Sequence, residues 1–136
     1  MDTDAVVAAM RSPTGASAAI VRAVRQRQVT LLLSVPLAME YEAVCRRPEH
    51  RVEAGLSERE VEIFLDAIIA LAEPVLTHFL WRPQLHDPND EMVLEAAVNG
   101  RADAVVTLNV RDYGTAASQF GVEVLLPREA IARIRR

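Results

Sequence analysis

Carboxylates lie at several positions where the sequence predicts the end of a strand or the start of a helix. They are Asp2, Asp4, Glu40, Asp87, Asp90 and Asp112, and Asn109 adds an amide oxygen to the set. Carboxylates that come together repel one another unless a cation neutralises them, and an all-oxygen ligand set favours Mg²⁺ or Mn²⁺ over zinc. Such an ion can activate water and stabilise the leaving oxygen of a phosphodiester. The set therefore favours metal-dependent hydrolysis of a nucleic-acid backbone.

Each of these residues also has a purely structural interpretation. Asp87 can cap the helix that follows it, and Asp90 can complement the dipole of that helix. Glu40 can belong to a solvated helix face, while Asn109 and Asp112 can bond the backbone of their own loop. We prefer the functional interpretation because carboxylates from chain-distant turns are expected to meet at one edge of a sheet.

The segment 86–113 must position most of this set. Asp87-Pro88 predicts a helix start, and Gly100 predicts a helix end in the left-handed conformation. Ala104-Val105-Val106 predicts a strand buried on both faces, with Thr107-Leu108-Asn109 as its polar exit. Ligands of open α/β sheets bind outside the carboxyl ends of the strands, so this polar exit is expected at the binding edge.

The remaining sequence alternates predicted helices and strands. Helices are predicted over residues 16–27 and 37–46, after the capping box Ser57-Glu58-Arg59-Glu60, and from Pro127 onward; strands or extended segments are predicted over Thr30–Ser34, Pro74–Leu80 and Gly121–Leu126. We therefore predict a single α/β domain over residues 1–136, with a mainly parallel sheet covered by helices on both faces.

Composition and charge argue against a membrane protein, a secreted disulfide-bonded protein and a protein with a uniformly basic surface. The chain has 136 residues and a net charge of −4, which argues against a uniformly basic nucleic-acid surface. No window approaches the ~18 apolar residues of a membrane span and no secretion signal is visible, so the cytoplasm is the default location. Cys45 is the only cysteine, which excludes an internal disulfide and predicts a small buried hydrophobe. The histidines, which lack the spacing of a metal-binding pair, are expected at the surface or in loops: His50, His78 and His86.

All fifteen basic residues are arginines, so the phosphate-binding loop that requires a lysine is absent. Arginine binds phosphate in a bidentate manner, and Arg11, Arg82 and Arg111 lie in or beside predicted loops where they could contact nucleic acid weakly. Base stacking is limited to few aromatic residues, with Trp81 or Tyr113 as candidates.

Four separated segments together resemble the PIN-domain family. They are Asp2-Thr3-Asp4-Ala5-Val6-Val7, Ser34 to Val44 with Glu40-Tyr41 at its centre, Asp87-Pro88-Asn89-Asp90-Glu91, and Val106-Thr107-Leu108-Asn109. More narrowly, they look like the branch of toxin components of toxin–antitoxin systems that is related to the VapC toxins. The resemblance implies a three-layer α/β/α sandwich around a central, mainly parallel sheet of about four or five strands.

The resemblance also implies a Mg²⁺- or Mn²⁺-dependent endoribonuclease that cleaves single-stranded or structured RNA. Such proteins are often homodimers and are neutralised by a small antitoxin encoded nearby. Carried over residue by residue, Asp2 matches the acid that ends the first strand, Glu40 the acid of the second helix and Asp90 the acid that opens the later helix. These three residues are the expected metal ligands.

Four further positions are expected to complete or support this site. Asn109 stands where many family members have a fourth aspartate, and Asp112 could supply the missing charge. Asp4 stands where asparagine is more usual. Asp87 and Thr107 are expected to support the ligands rather than to bind the ion.

The amino terminus departs from the family pattern. Family members begin with several apolar residues that form a central strand, whereas here Met1 alone precedes the acid matched by Asp2. We therefore expect a truncated first strand, and we hypothesise that the natural start lies upstream. Equal metal binding, stability and cleavage in longer and shorter forms would contradict this hypothesis.

The residues leave two alternative functions open. A PIN-like domain with weak or no catalysis could serve as an interaction module, which the short first strand and Asn109 would favour. A nuclease directed at DNA could use the same acidic site. The sequence alone does not separate these alternatives.

Overall fold

Short strands alternate with helices along the chain, in the α/β arrangement that the sequence predicts. The computed structural model describes residues 1–77, 85 and 87–136. Its elements in chain order are α1 (Thr3–Arg11), α2 (Ala16–Arg25), β1 (Leu32–Leu33), α3 (Val35–Cys45), α4 (Pro48–Ala54), α5 (Glu58–Leu71), β2 (Glu73–Pro74), α6 (Pro88–Asn99), β3 (Ala104–Val106), a 3₁₀ helix (Val110–Tyr113), α7 (Ala116–Gln119), β4 (Glu123–Leu125) and α8 (Pro127–Ile134).

The strands pair in parallel, as predicted. β1 pairs with β2, and β3 pairs with β4. Within the described residues these pairs form two separate two-stranded sheets, whereas one sheet of four or five strands was expected. Beside β3, the Asp2 N–H donates to the Val106 carbonyl at 2.8 Å, and α1 begins at Thr3.

Caps fix the starts of the two helices predicted with most detail. The Asp87 carboxylate accepts a hydrogen bond from the Asn89 N–H at 2.9 Å, and Pro88 occupies the first helical position of α6. In the capping box of α5, the Glu60 N–H donates to the Ser57 hydroxyl at 3.1 Å and the Ser57 N–H donates to the Glu60 carboxylate at 3.0 Å. Each such cap stabilises its helix by about 1 kcal/mol and sets the register of the side chains that follow.

Gly100 ends α6, but the prediction of a left-handed conformation there is wrong. Its φ is −86°, and the positive φ falls instead on Arg101, at 55°. What Gly100 provides is space, since a Cβ at this position would lie 2.7 Å from Leu32 Cδ1 and 2.9 Å from Val75 Cγ2. The glycine therefore allows the end of α6 to approach the β1–β2 pair closely.

Some elements were not predicted, and some predicted ones are shorter. The helix predicted over residues 37–46 ends at Cys45, and α4, which was not predicted, begins at Pro48, because proline suits the first turn of a helix. The 3₁₀ helix and α7 were likewise not predicted. Strands predicted over Thr30–Ser34 and Gly121–Leu126 are reduced to β1 and β4. Of the extended segment predicted over Pro74–Leu80, residues 78–80 lie outside the described residues.

The core joins the two strand pairs through the helices. α6 contacts both β1 and β3, α3 packs on α1, α5 and α6, and α2 packs on α8. The Cys45 side chain is fully buried at the end of α3, as predicted, and burial raises the pKa of its thiol to about 12. Among the helices of the described residues, none has both the length and the apolar character required to cross a bilayer.

Candidate active site

Side chains from four parts of the chain line one cavity of about 610 Å³ at the carboxyl ends of β1 and β3. The acidic and amide residues of its wall are Asp2, Asp4, Glu40, Asp87, Asp90, Asn109 and Asp112. Asp2 and Asp4 come from the start of α1, Glu40 from α3, Asp87 and Asp90 from the start of α6, and the last two from the segment after β3. The structure therefore brings together every carboxylate of the predicted set.

Asp2 is the most constrained of these carboxylates. It is 6% exposed, and it caps α1 by accepting the Thr3 N–H on Oδ1 at 2.7 Å. Its Oδ2 accepts hydrogen bonds from the Thr107 hydroxyl at 2.9 Å and from the Tyr113 hydroxyl at 3.0 Å. Three donors on one carboxylate hold it in a single orientation at the wall of the cavity.

Asp4 and Asn109 contact each other directly. The Asn109 side-chain amide donates to Asp4 Oδ2 at 2.8 Å, and the Leu108 N–H donates to the same carboxylate at 3.2 Å. Burial and the neighbouring Asp2 raise the pKa of Asp4, while hydrogen bonds from the backbone of Leu108 and Ala5 and from the Thr107 hydroxyl oppose the rise. The extra charge at position 4 is thus accommodated by a neutral amide at position 109.

Asp90 has the most perturbed carboxyl group of the cavity. It lies in the first turn of α6 and is 7% exposed. Burial, followed by repulsion from Asp2, Asp87, Asp112 and Asp4, raises its pKa from 3.8 to about 7. A carboxyl group destabilised in this way by like charges is one that a cation would return to its ionised form.

The oxygen ligands of the cavity suit a hard divalent cation, but they are not arranged as a complete coordination site. Carboxylate and amide oxygens are the donors that Mg²⁺ and Mn²⁺ prefer, and the mutual repulsion at Asp90 is the electrostatic signature of such a site. Within residues 1–77, 85 and 87–136, however, no three histidine, cysteine or acidic side chains stand close enough to ligate one ion. Binding therefore requires the carboxylates to move together.

The residues predicted to support the metal ligands or to contact nucleic acid differ in whether they line the cavity. Thr107 is fully buried and its hydroxyl donates to Asp2, but it does not line the cavity. Arg11 lines the cavity, where it also lies 3.6 Å from Glu53, whereas Arg111 is exposed on the 3₁₀ helix away from the lining. Arg82, Trp81, His78 and His86 lie outside the described residues.

Two residues were assigned wrongly by the sequence analysis. Tyr113 is fully buried against Asp2, so it cannot stack on bases as suggested. His50 was expected at the surface or in a loop, but it lies half-buried in α4 and lines the cavity together with Arg47. The helical start at Pro48 was the signal that could have placed both residues, since α4 packs against α1.

Comparison with known proteins gives one result. No curated protein and no solved structure matches the chain. A family model described as the PIN domain matches residues 1–111, which include all the cavity acids except Asp112. PIN domains are generally nucleases with an α/β fold. By this match and by the fold that carries the acidic cavity, the chain belongs to the PIN-domain family.

Proposed function

We propose that this protein is a Mg²⁺- or Mn²⁺-dependent endoribonuclease and the toxin of a type II toxin–antitoxin pair. The observation that carries the proposal is the convergence of Asp2, Glu40 and Asp90 on one cavity from distant parts of the chain. The match to the PIN domain supports nuclease activity in general. The metal ion, the RNA substrate and the toxin role are proposed here in addition.

Asp2, Glu40 and Asp90 would hold the metal ion. When bound, the ion supplies the positive charge that activates a water molecule and stabilises the leaving oxygen of a phosphodiester. Asp2 is held for this role by three hydrogen bonds, and Asp90 would have to release its proton before it could ligate. Glu40 is half-buried on α3 and lines the cavity together with the acids of α1.

We propose that Asp4 supplies the fourth carboxylate. The family pattern has asparagine more often at position 4 and aspartate more often at position 109, and this chain has the two types exchanged. The Asn109 amide donates directly to Asp4, so the exchange keeps one carboxylate and one amide in contact. Asp112 also lines the cavity and would add charge at its rim.

The substrate in this proposal is single-stranded RNA. The cavity is open, and an unpaired strand can present its backbone without the steric constraint of a duplex. Arg11 and Arg47 line the same cavity as the acids, where they could bind the phosphates that flank the cleaved bond. A small antitoxin and a homodimer remain part of the proposal because of the resemblance alone.

A second candidate function is an interaction module with little or no catalysis. The specific observation in its favour is that no three potential ligands among the described residues are close enough to hold an ion. The raised pKa of Asp90 favours the nuclease instead, because clustered acids destabilise a fold that has no use for them.

The test is cleavage of a fluorescently labelled single-stranded RNA with Mn²⁺, with Mg²⁺ and with a chelator. We expect cutting only with the ions, loss of cutting in Glu40→Gln, and retention in Glu42→Gln, a control on the same helix that does not line the cavity. Cutting that survives the chelator would contradict the proposal. Cleavage of DNA but not RNA of the same sequence would instead favour the DNA-directed alternative.

A further inference from the structure

The inner faces of α2 and α8 join in one hydrophobic cluster beside β4. The cluster contains Ile20 and Ala23 of α2, Ala130 and Ile131 of α8, and Leu125 of β4. Because the two helices pack directly against each other there, their outer faces adjoin at the surface of the protein. Charged side chains on these outer faces can therefore act together on one ligand.

Both outer faces carry exposed arginines. α2 exposes Arg22 and Arg25, which are three residues apart. α8 and its C-cap expose Arg128 and Arg135, which are seven residues apart. Residues at these spacings lie on the same side of a helix, so each pair forms a short row on its helix. We call these four residues the arginine track.

Acidic residues do not neutralise the track. From residue 12 to residue 39 the chain has three arginines and no acidic residue. In α8, Glu129 accepts a hydrogen bond from the Leu126 N–H at 2.9 Å and so serves as a cap of its own helix. Glu123 of β4 pairs with Arg133, outside the track, at 2.6 Å. Within the residues that the structure describes, no arginine of the track takes part in an ion pair.

The helix dipole explains only part of this charge. Arg22 and Arg25 lie in the last turn of α2, where a positive charge is favourable. Arg128 lies in the first turn of α8, where a positive charge is unfavourable. A surface that serves solubility alone usually mixes both signs, as α5 does with the pair of Arg59 and Glu62 at 3.1 Å. In a protein with a net charge of −4, a surface of one positive sign favours a polyanion as its ligand.

The turn between α1 and α2 connects the track to the acidic cavity. Arg11 ends α1 and lines the cavity. Two residues later, the Pro13 carbonyl accepts a hydrogen bond from Arg22 Nη1 at 2.8 Å, which holds the guanidinium of Arg22 against this turn. α1 lines the cavity along its length and packs on α2, and packed helices have axes about 8–10 Å apart. A nucleic-acid strand that leaves the cavity past Arg11 would therefore meet the track one helix away.

We propose that the arginine track binds the phosphate backbone of the single-stranded RNA that extends beyond the cleaved bond. The inference rests on the proposed function, from which it takes the class of substrate. Arginine contacts phosphate in a bidentate manner, and such contacts position a strand without reading its bases. The track thus adds affinity for long RNA without sequence selectivity. Its connection to the cavity favours RNA over an acidic segment of a protein as the ligand.

The test measures binding of a fluorescently labelled single-stranded RNA of about 20 nucleotides by anisotropy, in a chelator that prevents metal-dependent cleavage. The track variant is Arg25→Gln with Arg128→Gln. The matched control, Arg59→Gln with Arg101→Gln, removes the same charge from exposed arginines outside the track. We expect the track variant to bind about tenfold more weakly and the control to bind within about twofold of the unmodified protein. The slope of log affinity against log salt should become shallower by about 1.4, the value for two lost phosphate contacts on a single strand.

Cleavage kinetics with Mn²⁺ give a second readout. For the long RNA, the track variant should raise KM by about tenfold and leave kcat unchanged, because the track does not touch the reacting atoms. For an RNA of about five nucleotides, which is too short to reach the track from the cavity, both constants should stay unchanged. Arg25→Lys with Arg128→Lys keeps both charges, so it should keep the salt slope of the unmodified protein.

Three results would overturn the inference. Unchanged affinity and salt slope in the track variant would mean that RNA does not contact these arginines. An equal loss in the control would mean that total charge matters and not the track. Equally tight binding of an oligoglutamate peptide, lost in the same variant, would assign the track to an acidic protein. Loss of RNA binding in the track variant of a protein that does not cleave RNA would support the track and refute the proposed function, so the two failures are distinguishable.

Discussion

The hydroxyl of Tyr113 holds the carboxylate that is most central to the proposed site, and its removal is a sharp test of that geometry. Tyr113 is fully buried, and its hydroxyl donates to Asp2 Oδ2 at 3.0 Å across 111 residues of chain. Tyr113→Phe would leave the ring in place and remove one of three donors to the carboxylate. Hydrogen bonds to charged groups contribute about 1.5–3 kcal/mol, so we expect that loss in the free energy of unfolding.

The chain offers a matched control, because its other tyrosine is equally buried. The Tyr41 hydroxyl donates to the neutral Met1 carbonyl. Tyr41→Phe should therefore cost only about 0.5–1.5 kcal/mol, the usual contribution of a neutral hydrogen bond. Urea unfolding followed by circular dichroism measures both variants under the same conditions.

A second measurement separates positioning of Asp2 from general stability. If Tyr113 orients a metal ligand, Tyr113→Phe should weaken Mn²⁺ binding by about 10- to 100-fold, as is typical when the partner of a ligand is removed. Calorimetric titration at a temperature where both variants are folded would measure this. Reasoning from the hydrogen bond would be refuted if Tyr113→Phe lost no more stability than Tyr41→Phe and bound Mn²⁺ as tightly as the unmodified protein.

Three further results are expected. The pKa of Asp90 is raised from 3.8 to about 7, so without metal the folded state holds a proton that the unfolded state releases. The free energy of unfolding should therefore fall as the pH rises from about 4 to 7. Mn²⁺ binding displaces the same proton, so the affinity for Mn²⁺ should rise over about pH 5.5–8. Stability should be measured by denaturant titration at each pH, and a rising stability over this range would contradict the sign. Asp4→Asn should weaken Mn²⁺ binding, and the double variant Asp4→Asn with Asn109→Asp should restore it, because one carboxylate and one amide are then again in contact. If the double variant bound Mn²⁺ as weakly as Asp4→Asn, the proposal that the two positions have exchanged roles would be refuted. Gly100→Ala should lower the free energy of unfolding, measured by thermal unfolding, by about 1–3 kcal/mol, because the added Cβ would lie 2.7 Å from Leu32 Cδ1. This loss should outweigh the better helix propensity of alanine. An unchanged stability would mean that α6 can shift away from β1 without cost.

Local signals explain which parts of the fold were predictable. The caps at Asp87 and Ser57 depend on groups within three residues, so the starts of α6 and α5 could be read from the sequence. The start of α4 at Pro48 was not predicted, because proline both prevents the continuation of one helix and suits the start of another. The conformation of Gly100 was predicted wrongly because its role depends on Leu32 and Val75, which approach it only in the folded protein.

In the candidate site too, features set by the local sequence could be predicted and features set by tertiary contacts could not. The acids could be chosen from their positions at predicted strand ends and helix starts, and they do line one cavity. The contacts that hold them could not be chosen in this way. Tyr113 reaches Asp2 through the packing of the 3₁₀ helix against β4, and the Asn109 amide donates to Asp4, a contact that the sequence did not predict. Pairings at such separations depend on the tertiary structure and leave no periodic pattern in the sequence.

The most direct test of the central claim is the rate at which Asp90→Asn cleaves single-stranded RNA in the presence of Mn²⁺. The substitution keeps the size of the side chain and removes the carboxyl group whose pKa is raised by burial and by its acidic neighbours. Asp66→Asn on the exposed side of α5 is the matched control. We expect near-complete loss of cleavage in Asp90→Asn and an unchanged rate in Asp66→Asn. Undiminished cleavage by Asp90→Asn would contradict the account.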